Sequence, residues 1–231
     1  MPQAPSIEII LGPCSLWRVA CSSYLWIMYL TKTPFWLRSL YPSLVWRMPV
    51  QGEKKIYLTF DDGPHPQATP FVLDQLAAYG AKATFFCIGK NVAAEPEIYQ
   101  RIIAEGHTVG NHTQHHLNGW KTDDATYLDD IATAQQYISS NLFRPPYGRI
   151  KRSQIKALHQ QQKKIIMWDV LSADFDIGLT GEACLAYVLY HTQPGSIVLF
   201  HDSAKAWDRM SVALPKVLEY FSEKGFRFEG I

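Results

Sequence analysis

The sequence predicts an α/β fold, a mainly parallel sheet with helices packed outside it. Three observations carry this expectation. Strand-like and helix-like segments alternate from Lys54 to the C-terminus. The strand-like segments are short and apolar and give way to polar residues, where α/β proteins keep their chemistry. No internal repeat or linker interrupts the alternation. An open doubly wound sheet and a closed barrel both satisfy this pattern.

The elements follow in order. Lys54 to Phe60 reads as a strand with Ile56, Leu58 and Phe60 on one face. Thr69 to Tyr79 reads as a helix, with Thr69 as N-cap, Pro70 as first helical residue and Gly80 as its stop. Ala83 to Ile88 is a short apolar strand, Pro96 to Glu105 a helix, and Thr108 to Asn111 a strand that delivers a histidine cluster. Asp123 to Ser140 reads as one long helix with acidic residues in its first turns, as the helix dipole favours. Leu142 to Arg144 is a brief strand, broken by Pro145-Pro146. Then come a helix over Ser153 to Gln162, an apolar strand over Lys164 to Val170, a helix over Thr180 to Thr192 and a strand over Ser196 to His201. A helix over Val212 to Lys224 and a last strand at Phe226 to Phe228 complete about seven β/α units.

Residues 1–53 stand apart. Pro2, Pro5 and Pro13 leave the first stretch without regular structure, and Trp17 to Leu30 is too short and broken to span a bilayer. No basic stretch followed by a clean apolar run marks an export signal. Residues 1–27 are expected to be disordered, or added by an upstream start codon to a protein that begins at Met28. Residues 31–48 interleave aromatics and leucines with Lys32, Arg38 and Arg47. They are expected to cover the α/β domain of residues 54–231, lying on a membrane surface being the alternative. A cytoplasmic location and a monomeric state are expected.

With 231 residues, 47% hydrophobic and 19% charged, the chain is long and apolar enough for one sizeable core. A net charge of +1 gives no bulk attraction for nucleic acid. Four cysteines without a C-x-x-C pair read as free thiols.

Two segments carry the chemistry. Thr59-Phe60-Asp61-Asp62-Gly63-Pro64 ends a strand with two carboxylates, and Asn111-His112-Thr113-Gln114-His115-His116 sets three imidazoles within five residues. Adjacent side chains leave an extended chain in opposite directions, so one carboxylate can bind a metal while the other faces a substrate. His112 and His116 share a face if the segment forms a helical turn, since four residues rotate by about 400°; His115 is the competing ligand. A carboxylate with paired imidazoles is the ligand set of zinc or a similar borderline metal. These segments predict a metal-dependent hydrolase. Arg144 before its proline-stiffened loop and His201-Asp202 after a buried strand add titratable groups at strand ends.

The ordered motifs T-F-D-D-G-P, N-H-T-x-x-H, R-P-P-Y-G, W-D-V-L-S-A-D-F and I-V-L-F-H-D resemble those of the NodB-type polysaccharide deacetylases, carbohydrate esterase family 4. The motifs run from Thr59 to Asp202, and the resemblance covers about residues 54–231. It implies a distorted (β/α) barrel of about seven strands and removal of N-acetyl groups from an N-acetylglucosamine-type carbohydrate. It also implies a divalent metal: Zn2+, with Co2+ or Ni2+ as alternatives. By position it implies Asp62, His112 and His116 as metal ligands, Asp61 as general base and His201 as general acid. It implies Arg144 as the partner that orients Asp61, and the Tyr147 backbone N–H as oxyanion donor. Pro146, Tyr147, Leu199 and Phe175 are implied beside the substrate, Leu199 against the acetyl methyl group.

One motif departs. The family's D-x-x-D-W, set on Asp174-Phe175, finds Leu171 where the first Asp belongs and Phe175 where Trp belongs. Asp169, two residues before Leu171 on a continuous strand, is expected to replace the missing carboxylate and tune His201. Alternative functions are an O-acetyl esterase, a hydrolase of small amides or imides, and a non-catalytic carbohydrate-binding protein.

Overall fold

A computed structural model describes residues 30–50 and 52–231 of the chain. The expectations for residues 1–27 lie outside the described residues. In chain order the elements are α1 (Phe35–Leu40), β1 (Lys55–Asp61), α2 (Ala68–Ala78), β2 (Thr84–Cys87), α3 (Gly89–Ala94), α4 (Pro96–Ala104), β3 (Thr108–Asn111), α5 (Asp124–Ala134) and β4 (Leu142–Phe143). They continue with α6 (Arg152–Gln160), β5 (Lys164–Ile165), β6 (Val170–Leu171), α7 (Gly181–His191), β7 (Ile197–His201), α8 (Trp207–Glu223) and β8 (Arg227–Phe228).

Seven parallel strands lie in the order β5-β4-β3-β2-β1-β7-β6, with β8 paired to β1 off this path. The two edge strands, β5 and β6, are separated in sequence by four residues, 166–169. Five Cα steps reach at most ~18 Å, so the sheet has to curl until its edges nearly meet. This is the expected distorted barrel. The predicted strand over Lys164 to Val170 therefore divides. Its apolar run is continuous because Ile166 fills the barrel interior while Met167 packs outside, and neither demands one unbroken ladder.

Alternation along the strands sorts the side chains. Ile56, Leu58 and Phe60 of β1 join Phe85, Val198 and Phe200 under the helices, among Leu73, Leu76, Leu214 and Leu218. The opposite face points into the barrel, where Tyr57, Phe86, Leu142 and Ile197 pack with Ile166. By the same parity Thr59 and Asp61 of β1, Leu199 and His201 of β7, and Arg144 after β4 face the barrel interior near the C-terminal strand ends. Gly110 of β3 is glycine because a Cβ there would lie 2.5 Å from the Phe86 ring.

Several boundaries differ from the sequence reading. α5 ends at Ala134, its last turn tightening through Gln136 and Tyr137, which donate to carbonyls three residues back. α8 starts five residues before Val212 and runs through Pro215; the buried Arg209 and Met210 belong to its packed face. α2 starts at Ala68, and Thr69 instead accepts from the His65 N–H. The short α3 had no periodic signal.

Residues 31–48 pack against the barrel. Thr31 to Thr33 run antiparallel to residues 169–171, Val45 exchanges two hydrogen bonds with the Ile165 carbonyl and the Met167 N–H, and Met48 bonds Gly195. This strap crosses the seam between β5 and β6 and buries Leu44 and Trp46. It is clamped by charge: the fully buried Asp169 carboxylate meets Lys32 at 2.7 Å, Arg47 at 3.4 Å and Arg38 at 3.8 Å, and accepts from Ser196 at 2.7 Å. Among the described residues, no helix is long and apolar enough to cross a membrane.

Asp169→Asn should leave three strap cations without their carboxylate. A fully buried broken pair costs ~3–5 kcal/mol, and partial solvation of the cations reduces this to about 2 kcal/mol. Urea unfolding should report that loss at an unchanged zinc stoichiometry; equal midpoints for both proteins would contradict the clamp.

Candidate metal and active site

The rim is built from three loops that leave the barrel at the C-terminal ends of β1, β3 and β4, with the end of β7 beside them. Asp61 is the last residue of β1 and faces inward, so it lies beneath the rim and is 3% exposed. Asp62 follows at φ 81°, which swings its carboxylate out of strand alternation toward the histidines. Three contacts hold this turn. Asn91 of α3 donates to the Asp62 carbonyl (2.7 Å), and buried Asp202 accepts from the Gly63 N–H (3.0 Å) and from Thr69 Oγ1 (2.5 Å). A Cβ at residue 63 would collide with the Asp202 carboxylate. Burial pushes the Asp202 pKa up to about 8.

His112 and His116 do converge, but not on a helical turn. Residues 112–116 form a loop in which Thr113 (φ 66°) and His116 (φ 59°) are left-handed, and these two reversals aim both rings inward. His112 Nδ1–H donates to the Arg144 carbonyl (2.8 Å), which fixes the tautomer and leaves Nε2 free. Burial lowers its pKa to about 4, keeping the ring neutral at physiological pH. His116 Nδ1 hydrogen-bonds the Tyr147 hydroxyl (3.1 Å), so its Nε2 also points into the site, 3.1 Å from Asp62 Oδ1. His115 turns away and donates to Asp130 (2.6 Å), which also accepts the backbone N–H groups of Gln114 and His115.

One oxygen of Asp62 and one nitrogen each of His112 and His116 lie within 4.8 Å of one another. Asp62 Oδ1 is buried and accepts no well-aligned hydrogen bond. Burial opposes the Asp62 charge, but His116, His201 and His112 outweigh it and hold its pKa well below the usual carboxylate range. An unpartnered anionic oxygen and two outward-tied imidazoles fit a divalent cation such as zinc.

Arg144 is wholly buried across the barrel mouth. It donates to Asp61 Oδ1 (2.7 Å), Thr59 Oγ1 (2.8 Å) and the carbonyls of Ile166 (3.1 Å) and Met167 (2.9 Å), and its guanidinium lies 4.1 Å from the Phe86 ring centre. Asp61 Oδ2 remains on the site side, 3.8 Å from His112 Nε2. Tyr147 sits at φ 60° with an exposed ring, and among the described residues its backbone N–H donates to no acceptor within the chain. Pro146 is buried beside it.

His201 is paired in register with Asp61 on the neighbouring strand. Its Nδ1–H donates to Asp174 (2.7 Å), whose other oxygen accepts the His201 backbone N–H (2.8 Å). Burial works against the imidazolium, but Asp174 outweighs it and the pKa rises to about 9. This corrects the expectation for Asp169. That carboxylate is spent on the strap and on Ser196, five residues before His201 along the strand, or about 16 Å away at the usual rise. The strand that follows Asp169 ends at Leu171; Ala173 at φ 62° then turns the chain and brings Asp174 to His201. Asp174, the carboxylate that the motif retains, makes the contact instead. Phe175 packs edge-on against His201, ring centres 5.4 Å apart, and Leu199 lies buried two residues before it. Asn91, Asp130 and Asp202 gave no signal of their supporting contacts, since each acts on backbone that is distant in sequence.

The polysaccharide deacetylase family model matches residues 49–166. A peptidoglycan-N-acetylglucosamine deacetylase of Bacillus cereus is 36% identical over 184 residues, 77% of this chain and 66% of its own length. A second protein of that name from the same organism is 35% identical over 191 residues, 80% of this chain and 89% of its own. A chitooligosaccharide deacetylase of Bradyrhizobium is 37% identical over 161 residues, 66% of this chain and 73% of its own. The solved structure of the Bc1960 peptidoglycan N-acetylglucosamine deacetylase superposes with a TM-score of 0.79 at 32% identity, over 86% of this chain and 95% of that one.

His112→Ala and His116→Ala should each lower zinc affinity by at least about tenfold, because a three-ligand set cannot lose one member and bind tightly. His115→Ala should retain zinc, since Asp130 keeps its two backbone donors. Calorimetric titration of metal-free protein distinguishes the three; loss of zinc with His115→Ala alone would reverse the assignment.

Proposed function

The chain belongs to the polysaccharide deacetylase family, and from that premise we propose that it is a metal-dependent hydrolase removing N-acetyl groups from an N-acetylglucosamine-type carbohydrate. The observation that carries this reading is the juxtaposition of the Asp62, His112 and His116 cluster with two differently set proton-transfer groups, Asp61 and His201. The similarity to peptidoglycan-N-acetylglucosamine and chitooligosaccharide deacetylases supports the same substrate class.

Asp62 and the Nε2 atoms of His112 and His116 would hold the cation. Bound there, it would supply a nucleophile at neutral pH and polarise the acetyl carbonyl. Arg144 holds Asp61 Oδ1, leaving Oδ2 to accept a proton from the attacking water. The free N–H of Tyr147 would donate to the carbonyl oxygen as negative charge develops on it. His201 would give its Nε2 proton to the departing amine, with Asp174 on Nδ1 keeping the ring charged until then. An ester leaves readily without such an acid, so a buried, carboxylate-bonded imidazole favours the amide. Leu199 and Phe175 would bound the space for the methyl group and the sugar.

Asp61→Asn should cut kcat by at least ~100-fold while zinc is retained, because the proton acceptor is lost and the ligands are not. It should also destabilise the fold by ~3 kcal/mol, since Arg144 is left charged and buried without a counter-ion. Measuring kcat, metal content and urea midpoint together separates these effects; zinc loss equal to that of Asp62→Asn would merge the two roles.

Asp174→Asn should move the alkaline limb of the kcat profile to lower pH. The His201 pKa is raised to about 9 in the folded protein, so its charged form and the stability that goes with it are complete below about 6.5. Both are lost as pH rises through about 9. Without the Asp174 carboxylate only the more distant charges of Asp62 and Asp61 oppose burial, and the imidazolium is lost earlier. An alkaline limb unmoved by this substitution would remove His201 from the acid role.

A further inference from the structure

An apolar groove of about 500 Å³ starts at Tyr147, whose hydroxyl bonds His116, and runs between the strap and residues 167–171. Its strap wall is Leu37, Leu40 and Leu44; Trp120 and Met167 face them. This wall lies in residues 30–48, before the stretch matched by the family model. The groove offers little to a second sugar ring. Three of its polar handles are spent inside the protein: Trp120 Nε1 on the Ile150 carbonyl, Trp46 Nε1 on the Tyr41 carbonyl and Thr33 Oγ1 on the Trp168 carbonyl. The Tyr41 hydroxyl and Trp168 Nε1 aside, a saccharide docked there would find few partners for its hydroxyls, whereas a hydrocarbon needs none. The rim is cationic. Arg149 stacks over Trp120 at 5.3 Å and Arg152 over Tyr41 at 5.9 Å, and among the described residues neither has a carboxylate partner.

We propose that this groove takes the aliphatic chain of an amphiphilic substrate, an amino sugar joined to a lipid through an anionic linker, with the linker at Arg149 and Arg152. The inference rests on the deacetylase reading, because Tyr147 makes groove and metal cluster one continuous surface. Apolar walls match the chain, the unpaired guanidinium groups match the linker, and the hydrolytic centre lies where the sugar would end.

The test uses the full chain and calorimetry, with methyl, octyl and decyl β-glycosides of N-acetylglucosamine below their micellar concentrations. A decyl phosphodiester of the same sugar is the charged arm. Affinity should rise at least about tenfold from methyl to decyl as methylenes leave water. The phosphodiester should bind several-fold tighter again, an increment that fades with salt and disappears in the Arg149→Gln, Arg152→Gln double variant. Leu40→Glu, at a half-exposed position that tolerates charge, should flatten the chain-length series. Equal affinity for methyl and decyl glycosides would overturn the groove assignment, as would a series left intact by both Leu40→Glu and Trp120→Ala. So would a dimer in sedimentation that Leu40→Glu dissociates without altering glycoside binding, since a second copy would then cover the groove. Acetate release separates the two readings. Chain-length-dependent binding with no acetate released from any of these sugars would remove the deacetylase reading and leave the groove; release without chain-length dependence would do the reverse.

Discussion

The geometry of the rim depends on one buried cation. Arg144 has no solvent to satisfy it, so each of its donors must find an acceptor, and those acceptors are the parts that need fixing. Its side chain ties Asp61 and Thr59 on β1 to the carbonyls of Ile166 and Met167, the link between the two sheet edges. Its own carbonyl accepts the His112 Nδ1–H and so decides which imidazole nitrogen faces the candidate metal position. The orientation of Asp61, the His112 tautomer and barrel closure are therefore coupled through a single residue. Lysine could not replace it, because an ammonium lacks the flat fork that reaches three directions at once.

Around this fixed point the rim carries local strain. Asp62, Thr113, His116, Tyr147 and Ala173 are non-glycine residues with positive φ, and each serves the site. Such conformations cost of order 1 kcal/mol or more apiece and persist only where packing over-determines them. Here the determinants are Asn91, Asp130 and Asp202, buried or half-buried polar groups that hold loop backbone rather than substrate. The barrel core beneath is apolar and closely filled, so the strain is confined to the loops.

This division explains what the sequence made legible. Strand parity placed Ile56, Leu58 and Phe60 outside, and hence Asp61 inside, because period-two alternation is local. The family motif pairs His112 with His116, whereas helical spacing leaves His115 open and does not describe this loop, because left-handed residues other than glycine leave no compositional mark. Asp169 and Asp174 were exchanged for the same reason. Without the reversal at Ala173, strand spacing points to the wrong carboxylate. The role of Asp169 was hidden further by its partners, Lys32, Arg38 and Arg47, which lie more than a hundred residues away and carry no pattern linking them to it.

The strap sets an order on folding. Residues 31–48 leave the ribosome early, yet the segments they bridge, residues 165–171 and 195–196, emerge well over a hundred residues later. Loop-closure entropy makes contacts of such separation late to form. Leu37, Leu44 and Trp46 therefore gain their native cover only when those later segments are present. The seam that completes the barrel, and with it the wall of the groove beside Tyr147, can close only once residues 165–171 and 195–196 are in place.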